Sequence, residues 1–313
     1  MLPSPFQNAL VLTGPTGSGK TALGVELAEK LGAEIVSMDS MALYRGMDIG
    51  TAKPGSLERW RVRHHLLDVL EPWESASVAW WLQQAAATVR VIEARASRAL
   101  FVGGTPLYLK ALLYGLFKGP PASPQLRRRL TAEAERNGAF ALHQRLAQID
   151  PAAAAHLHPH DLRRIIRALE VWELTGKPIS AWQTQWSNPR TQATDYGLPT
   201  ADQVLCLDVP RPDLYTQINA RVRQMFARGL VEEVRALRAL PQGISREAAQ
   251  ALGYKETLEY LGGRQTLVET IDRIQTRSRN FAKRQLTWFR HLPDCRMVTR
   301  ELTFAAWNLT MDD

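Results

Sequence analysis

The chain has 313 residues, of which 45% are hydrophobic, so it is long enough for one large domain or for a core with an inserted segment. Its 39 Lys and Arg residues outnumber 31 Asp and Glu residues, and the resulting net charge of +8 is typical of proteins with a polyanionic partner, although many soluble enzymes are basic without one. The two cysteines, Cys206 and Cys295, exclude a disulfide framework and a paired-cysteine zinc site, and no apolar run reaches the roughly 18 residues of a membrane span, so we expect a cytoplasmic protein.

The first informative stretch is TGPTGSGKT at residues 13–21. It follows an apolar run at residues 9–12 and precedes a helical pattern at residues 22–31, which is the strand, glycine loop and helix context of a phosphate-binding loop. Glycines let backbone N–H groups surround phosphate oxygens, and the helix N-terminus adds its positive dipole end. Lys20 can neutralise a terminal phosphate, and the Thr21 hydroxyl can ligate Mg²⁺. The motif predicts a polyphosphate site without telling whether a nucleotide carries the phosphates.

Strands and helices alternate over the first part of the chain. The predicted elements are strands at residues 33–37, 66–70 and 99–102 and helices at residues 75–97 and 106–114, with a polar, glycine-rich loop at residues 41–54. This alternation predicts a parallel sheet with right-handed crossovers, whose ligands bind beyond the carboxyl ends of the strands. We therefore expect the phosphate loop, Asp39 and Thr105 to face one cleft.

The pattern changes near residue 119 and returns near residue 204. Between them the spacing predicts helices only, at residues 124–137, 140–148, 151–156 and 161–175, and then a polar linker at residues 184–200. A strand at residues 204–209 and helices at residues 211–228, 231–240, 244–261 (interrupted at Gly253) and 267–289 follow. We therefore predict an α/β core with a P-loop NTPase-like parallel sheet flanked by helices, made of residues 1–118 and 200–313, and an all-helical insertion domain at residues 119–199.

Three side chains are candidates for chemistry beside the phosphate loop. Asp39, at the end of the second strand, is placed to accept a proton from an attacking group, and the alternative is a helix cap or loop residue. Thr105 is a hydrogen-bond donor to the cleft or an ordinary cap before Pro106. Arg221, among apolar neighbours, is a phosphate ligand or a surface charge.

Three basic clusters suit a nucleic-acid backbone, with tryptophans nearby for base stacking. They lie at residues 127–129, at residues 163–167, and in the helix at residues 267–290, which has six basic and two acidic residues. Each cluster alone is as well explained by helix solubility. Histidines occur at positions 156, 158 and 160, but without nearby cysteines and with Pro159 between them they do not indicate a metal site. His64 and His65 are interpreted as a loop or packing feature.

Seven stretches of the chain resemble the bacterial tRNA dimethylallyltransferases, also called tRNA isopentenyltransferases. In chain order they are GPTGSGKT (14–21), MDSMALYRGMDIGTAKP (38–54), GGTPLYLKAL (103–112), HPHDLRRIIRALE (158–170), INARVRQM (218–225), LGYKE (252–256) and AKRQLTWFR (282–290). They extend over nearly the full length, and the combination is far more specific than a phosphate loop alone.

The resemblance implies transfer of a dimethylallyl group from dimethylallyl diphosphate to the exocyclic amine of an adenosine next to the anticodon, in the anticodon stem-loop of a tRNA. It implies Asp39 as the general base, Thr105 as a residue that fixes the diphosphate or the adenosine, and Arg221 as a diphosphate ligand. Mg²⁺ is the expected cofactor and Thr21 its ligand. The expected diphosphate-binding residues are Gly14, Pro15, Thr16, Gly17, Ser18, Gly19, Lys20 and Thr21. The expected tRNA contacts are Asp39, Ser40, Met41, Ala42, Arg163, Arg164, Ile165, Ile166 and Arg167, with Arg127, Lys283 and Arg284 as weaker candidates.

Other functions stay open from the residues. A phosphate loop followed by an Asp at the second strand end is also typical of a small-molecule or nucleotide kinase. A nucleotide-gated RNA-binding module without chemistry, and a relative that prenylates free AMP or ADP, are further alternatives. We expect a monomer that uses no membrane.

Overall fold

The computed structural model describes residues 5–117, 119–183 and 201–310. The chain divides into two compact units, Met1–Leu113 with Asp195–Asp313, and Tyr114–Thr194. Within the described ranges, every helix is too short or too polar to cross a membrane.

The first unit is built on one parallel sheet of six strands. In chain order the strands are β1 Leu10–Thr13, β2 Ala33–Ser37, β3 His64–His65, β4 Arg98–Val102, β5 Val204–Leu207 and β6 Arg296–Val298. Their order across the sheet is β3-β2-β4-β1-β5-β6. All four residues of β1 and of β5 are buried, as expected for central strands of a sheet covered on both faces. The predicted α/β fold with a parallel sheet is confirmed.

Helices cover the sheet and form the second unit. They are α1 Lys20–Leu31, α2 Ser56–Arg61, α3 Val78–Glu93, α4 Pro106–Tyr114, α5 Pro124–Asn137, α6 Ala139–Ile149, α7 Pro151–His156, α8 Leu162–Thr175, α9 Arg211–Ala227, α10 Leu230–Arg238, α11 Arg246–Ala249, α12 Tyr254–Leu261, α13 Leu267–Arg290 and α14 Arg300–Ala306. Side-chain caps begin several of them. The Ser77 hydroxyl accepts the N–H of Trp80 at 3.1 Å, and Thr266 and Glu269 form a capping box at the start of α13.

The second unit packs α5 to α8 around its own apolar core, which includes Leu130, Leu146, Ile165 and Leu169. Asp150 is 2% exposed and accepts the N–H groups of Ala153 (3.0 Å) and Ser180 (2.9 Å), so its burial is compensated by hydrogen bonds. The described residues of the second unit contain helices and turns but no strand. The linker predicted at residues 184–200 lies outside the described residues.

One predicted element differs from the structure, and two elements of the structure were not predicted. The edge strand is His64–His65 rather than residues 66–70, because Leu66 (φ 57°) and Asp68 (φ 54°) adopt left-handed backbone that cannot continue a strand. The interruption predicted at Gly253 (φ 93°) is confirmed, since α11 ends at Ala249 and α12 begins directly after Gly253. Strand β6 and helix α14 were not predicted at all.

Candidate active site

The phosphate loop connects β1 to α1 with left-handed backbone at Gly17 (φ 83°) and Gly19 (φ 80°). A Cβ atom at Gly17 would lie 2.7 Å from the Ile218 side chain, so glycine is required there for close approach as well as for conformation. The loop is closed by the N–H of Ser18, which donates to the Pro15 carbonyl at 3.2 Å. The Ser18 hydroxyl is buried and has no hydrogen-bond partner among the described residues, which suits a ligand oxygen.

Two cations meet at this loop. The Lys20 ammonium donates to the Pro15 carbonyl at 3.2 Å, and Arg221 donates from α9 to the Thr16 hydroxyl at 2.9 Å. Burial lowers the pKa of Lys20 to about 8, with the charge of Asp39 opposing this change and that of Arg221 adding to it. Burial also lowers the pKa of Arg221, again against the effect of Asp39. Two partly desolvated cations with one nearby carboxylate leave a positive site that suits a diphosphate.

The ends of β2 and β4 are joined by hydrogen bonds around Asp39. The N–H of Met41 donates to Asp39 Oδ1 at 2.9 Å, which fixes that carboxylate, and the N–H of Ser40 donates to the Thr105 hydroxyl at 3.1 Å. A Cβ atom at Gly103 would lie 2.2 Å from the Met38 carbonyl oxygen, so only glycine lets the two strand ends approach so closely. Thr105 therefore holds the backbone beside Asp39 through Ser40.

Gln285 of α13 was not predicted, although it connects two parts of the site. Its Oε1 accepts the N–H of Thr16 at 2.8 Å, and its Nε2 donates to the Gly104 carbonyl. The side chain is 3% exposed and lies on the same buried face of α13 as Ala282 and Phe289. A glutamine on the apolar face of an otherwise basic helix was the signal in the sequence that could have identified it.

Lys20, Asp39, Arg221 and Gln285 line one cleft, which opens to solvent and has an empty volume of about 720 Å³, whereas Thr105 is not in its lining. Its polar end includes Thr16, Lys20, Thr21, Asp39 and Arg221, so the structure brings these predicted site residues together. Its apolar lining comes from Ile35, Ala42, Ala52, Pro54, Leu67 and Val102. A cleft with charged and apolar walls suits a ligand that carries phosphate on an apolar body.

His64 also lines the cleft, in addition to forming β3. Its Nδ1 lies 2.7 Å from the Val62 carbonyl oxygen, which can only accept, so Nδ1 carries the proton. Burial lowers the pKa of His64, which keeps the ring neutral near pH 7. The interpretation of this residue as a packing feature therefore missed its place in the cleft wall.

The basic residues expected to contact tRNA occupy two different environments in the second unit. Arg163 and Arg164 are exposed at the start of α8. Arg127 and Arg167 instead donate to the fully buried carboxylate of Glu170, at 2.9 and 2.6 Å. Burial alone would raise the pKa of Glu170, but hydrogen bonds from the two arginines and from a backbone N–H hold it below its usual value.

Two of the expected tRNA contacts have buried side chains. Ile165 is 0% and Ile166 7% exposed, and both belong to the core of the second unit, so their side chains pack α8 rather than offer a surface to RNA. In the first unit, Lys283 and Arg284 are exposed on α13. They lie outside the buried face of this helix to which Gln285 belongs.

Mg²⁺ fits this donor set only as a partner of the ligand's phosphates. No cluster of three or more His, Cys, Asp or Glu side chains that could hold a metal occurs among the residues that the structure describes. A phosphate loop needs no such cluster, because its Ser or Thr hydroxyl contributes one ligand while phosphate oxygens and water supply the rest. Thr21 lies in the cleft and meets that requirement.

Together, the parallel sheet and the phosphate loop define a P-loop-like α/β protein, and the paired cations and the opposing carboxylate give its cleft the charges that suit a phosphorylated ligand. The family model described as IPP transferase matches residues 42–292, and the one described as Isopentenyl transferase matches residues 7–68. The chain belongs to the IPP transferase family, as its resemblance to tRNA isopentenyltransferases predicted.

Similar proteins cover nearly the whole chain. The tRNA dimethylallyltransferase of Geobacillus kaustophilus is 46% identical over 287 residues, which cover 91% of this chain and 88% of the relative. That of Geobacter sulfurreducens is 45% identical over 295 residues, with coverage of 94% and 93%. The crystal structure of the tRNA isopentenylpyrophosphate transferase of Bacillus halodurans superposes with a TM-score of 0.66 at 39% identity, covering 94% of this chain and 90% of that one. A eukaryotic dimethylallyltransferase acting on tRNA has a TM-score of 0.76 at 24% identity over 97% and 81% of the two chains, and shares the fold.

Proposed function

We propose that this chain is a tRNA dimethylallyltransferase, which transfers the five-carbon group of dimethylallyl diphosphate to the exocyclic amine of an adenosine in tRNA. The observation that supports this most directly is the meeting of Lys20, Arg221 and Asp39 in one cleft that also has apolar walls. The substrate class comes from the names of the relatives. The cleft has residues suited to each part of the reaction, which are cations for the diphosphate, a carboxylate for the proton and apolar walls for the five-carbon group.

The phosphate loop acts on the leaving group in this proposal. The amine nitrogen forms a bond to the first carbon of the dimethylallyl group while the bond from that carbon to the diphosphate oxygen breaks. The electron pair of the broken bond stays on the diphosphate, and Lys20 and Arg221 are placed to stabilise its growing negative charge. Mg²⁺ held by Thr21 and the diphosphate oxygens would neutralise the same charge.

Asp39 is the proposed general base. The exocyclic amine of adenine is a weak nucleophile because its lone pair is delocalised into the ring, so removal of a proton as the new bond forms assists the attack. The hydrogen bond from the Met41 N–H fixes one oxygen of Asp39 at 2.9 Å, and the second oxygen is left to accept that proton. Thr105 supports this geometry through the backbone of Ser40.

The proposed acceptor is a large RNA whose target base leaves its stack to enter the cleft. The exposed cations Arg163 and Arg164 in the second unit, and Lys283 and Arg284 in the first, are proposed contacts for the RNA backbone. Arg127 and Arg167 are proposed to contribute the guanidinium N–H groups that Glu170 does not use.

Substitution of Asp39 tests the assignment of the base. Asp39→Asn keeps the shape of the side chain and an oxygen for the Met41 N–H but cannot take the proton, so we expect turnover to fall by about 10²-fold or more with little change in tRNA affinity. Asp208→Asn is the matched control, because Asp208 follows the end of β5 and pairs only weakly with Arg290, at 3.4 Å. Single-turnover rates near wild type for Asp39→Asn would reject Asp39 as the base.

A further inference from the structure

One wall of the cleft is a strained loop. We call residues 48–54 the wall loop, since four of them, Thr51 to Pro54, line the cleft. Ala52 in this loop has φ 51°, and the neighbouring segment has the same left-handed backbone at Leu66 and Asp68, with φ 57° and 54°. Non-glycine residues stay in this conformation only where surrounding contacts hold them there.

The Glu233 carboxylate of α10 supplies such contacts from outside the cleft. Its Oε2 accepts the N–H groups of Asp48 (2.9 Å) and Ile49 (2.8 Å). Its Oε1 accepts the N–H of Gly50 (3.2 Å) and the hydroxyl of Tyr254 (2.6 Å). Three consecutive peptide N–H groups are therefore held by one side chain, 183 to 185 residues away in sequence.

Tyr254 packs against the wall loop and hydrogen-bonds to the same Glu233 carboxylate. A Cβ atom at Gly50 would lie 2.4 Å from Cε2 of the Tyr254 ring, so the ring lies directly against the loop backbone while its hydroxyl donates to Glu233. The ring is 1% exposed and cannot easily move away. Glu233 and Tyr254 thus restrain the same stretch of backbone by hydrogen bonding and by packing.

Lys53 anchors the other end of the wall loop. Its side chain is 1% exposed, and its ammonium group donates to Asp48 at 2.9 Å, to Asp68 at 2.6 Å and to the Tyr44 carbonyl. With its ammonium directed at three acceptors, Lys53 ties the loop to the strained segment around Asp68. Thr51 and Ala52 lie between the backbone held by Glu233 and the side chain of Lys53. Their position in the cleft wall is therefore fixed from both sides.

We propose that Glu233 is a positioning residue which, through the wall loop, sets the length of prenyl chain that the cleft accepts. This rests on the proposed function. Ala52 and Pro54 face the cleft together with Ile35 and Val102, so the position of the loop determines the room beside the apolar walls. Apolar pockets discriminate weakly against longer chains unless their walls are rigid, because a soft wall moves to admit the extra carbons.

The test compares two donors, dimethylallyl diphosphate and the ten-carbon geranyl diphosphate, and measures amide hydrogen exchange of residues 48–53. We expect Glu233→Ala to lower the ratio of kcat/KM for the short donor over the long donor by about tenfold or more, with faster exchange at Asp48, Ile49 and Gly50. Glu233→Gln keeps one accepting oxygen and should fall between this variant and wild type. Glu232→Ala is the matched control, because Glu232 is an exposed neighbour that contacts Arg235 at 3.7 Å, and it should leave the ratio and the exchange unchanged.

An unchanged donor ratio in Glu233→Ala overturns the proposal. This holds also when kcat/KM falls equally with both donors, because such a loss would indicate a structural role alone. If Glu233→Ala does not fold, Tyr254→Phe replaces it, since the ring stays against Gly50 while the hydrogen bond to Glu233 is lost. That variant should shift the ratio in the same direction by a smaller factor, and a wild-type ratio overturns the proposal. Absence of prenyl transfer by the wild-type protein would instead reject the proposed function, and the exchange measurement would still decide whether Glu233 holds the loop.

Discussion

The depressed pKa of Lys20 predicts how the activity depends on pH. Burial brings this pKa from 10.5 to about 8, although the nearby charge of Asp39 acts in the opposite direction. The difference corresponds to about 3 kcal/mol by which the folded protein disfavours the charged form of Lys20 relative to a lysine in water. A diphosphate that pairs with Lys20 recovers part of this free energy, because its negative charge favours the protonated form.

The magnitude follows from the fraction of protein with a charged Lys20. That fraction is about one half at pH 8 and about one tenth at pH 9, so kcat/KM for dimethylallyl diphosphate should fall about fivefold over the unit above the pKa. A lysine with an ordinary pKa near 10.5 would produce no such fall in this range. The sign is fixed, because loss of a proton from Lys20 removes a cation from an anion-binding site.

The assay is initial-rate kinetics at limiting dimethylallyl diphosphate and saturating tRNA, from pH 6.5 to pH 9.5. Lys20→Arg is the control, since a guanidinium stays charged over this range and its pH profile should be flat whatever its absolute rate. A wild-type profile that is flat to pH 9.5, or one that falls equally in Lys20→Arg, would refute the assignment of this ionisation to Lys20.

Three further predictions concern contacts inside the site and, separately, a contact inside the second unit. Gln285→Leu leaves the buried N–H of Thr16 and carbonyl of Gly104 without their partner, so urea unfolding should show a loss of about 2 kcal/mol or more together with a lower kcat/KM, and an unchanged midpoint would count against it. Gly103→Ala places a Cβ atom 2.2 Å from a carbonyl oxygen and should cost about 1–3 kcal/mol and impair turnover; wild-type stability would show that the strand ends can separate freely. Glu170→Ala removes a buried partner of two arginines and should destabilise the protein at pH 7 by about 3 kcal/mol. The pKa of Glu170 is lower in the folded than in the unfolded protein, where it is near 4.5. The stabilisation by this carboxylate is therefore present above pH 4.5 and is lost as the pH falls below that value. The difference in unfolding free energy between Glu170→Ala and wild type should shrink at acid pH, and a difference that does not change with pH would contradict this.

Local patterns were sufficient for the phosphate loop and for most of the sheet. The glycines, Lys20 and Thr21 act within one turn of chain, and the alternation of strands and helices determines that Asp39 and the residues after β4 lie at the same sheet edge. The strand order predicted that the phosphate loop, Asp39 and Thr105 face one cleft, and the structure has Lys20 and Asp39 in its lining together with Arg221, while Thr105 is not among the lining residues. Their chemical roles, and the tRNA contacts, stay predictions.

Long-range contacts account for what the sequence did not reveal. Gln285 contacts a phosphate-loop residue 269 positions away, and Glu233 contacts the wall loop across 183 to 185 positions, so local spacing does not indicate the partners of either residue. The edge strand was misplaced because left-handed backbone at Leu66 depends on contacts of the folded wall and not on the residue type. The short strand β6 is specified by its pairing with β5, which periodicity cannot detect over three residues.

The central claim is that the phosphate loop holds a departing diphosphate and not a nucleoside triphosphate. The most direct measurement is intact-mass analysis of tRNA incubated with the protein, Mg²⁺ and dimethylallyl diphosphate, with release of diphosphate measured in the same reaction and parallel reactions supplied with ATP, AMP or ADP. We expect tRNA to gain the mass of one dimethylallyl group for each diphosphate released, without any nucleotide. Unmodified tRNA together with consumption of ATP, or transfer of the prenyl group to free AMP or ADP in preference to tRNA, would contradict it.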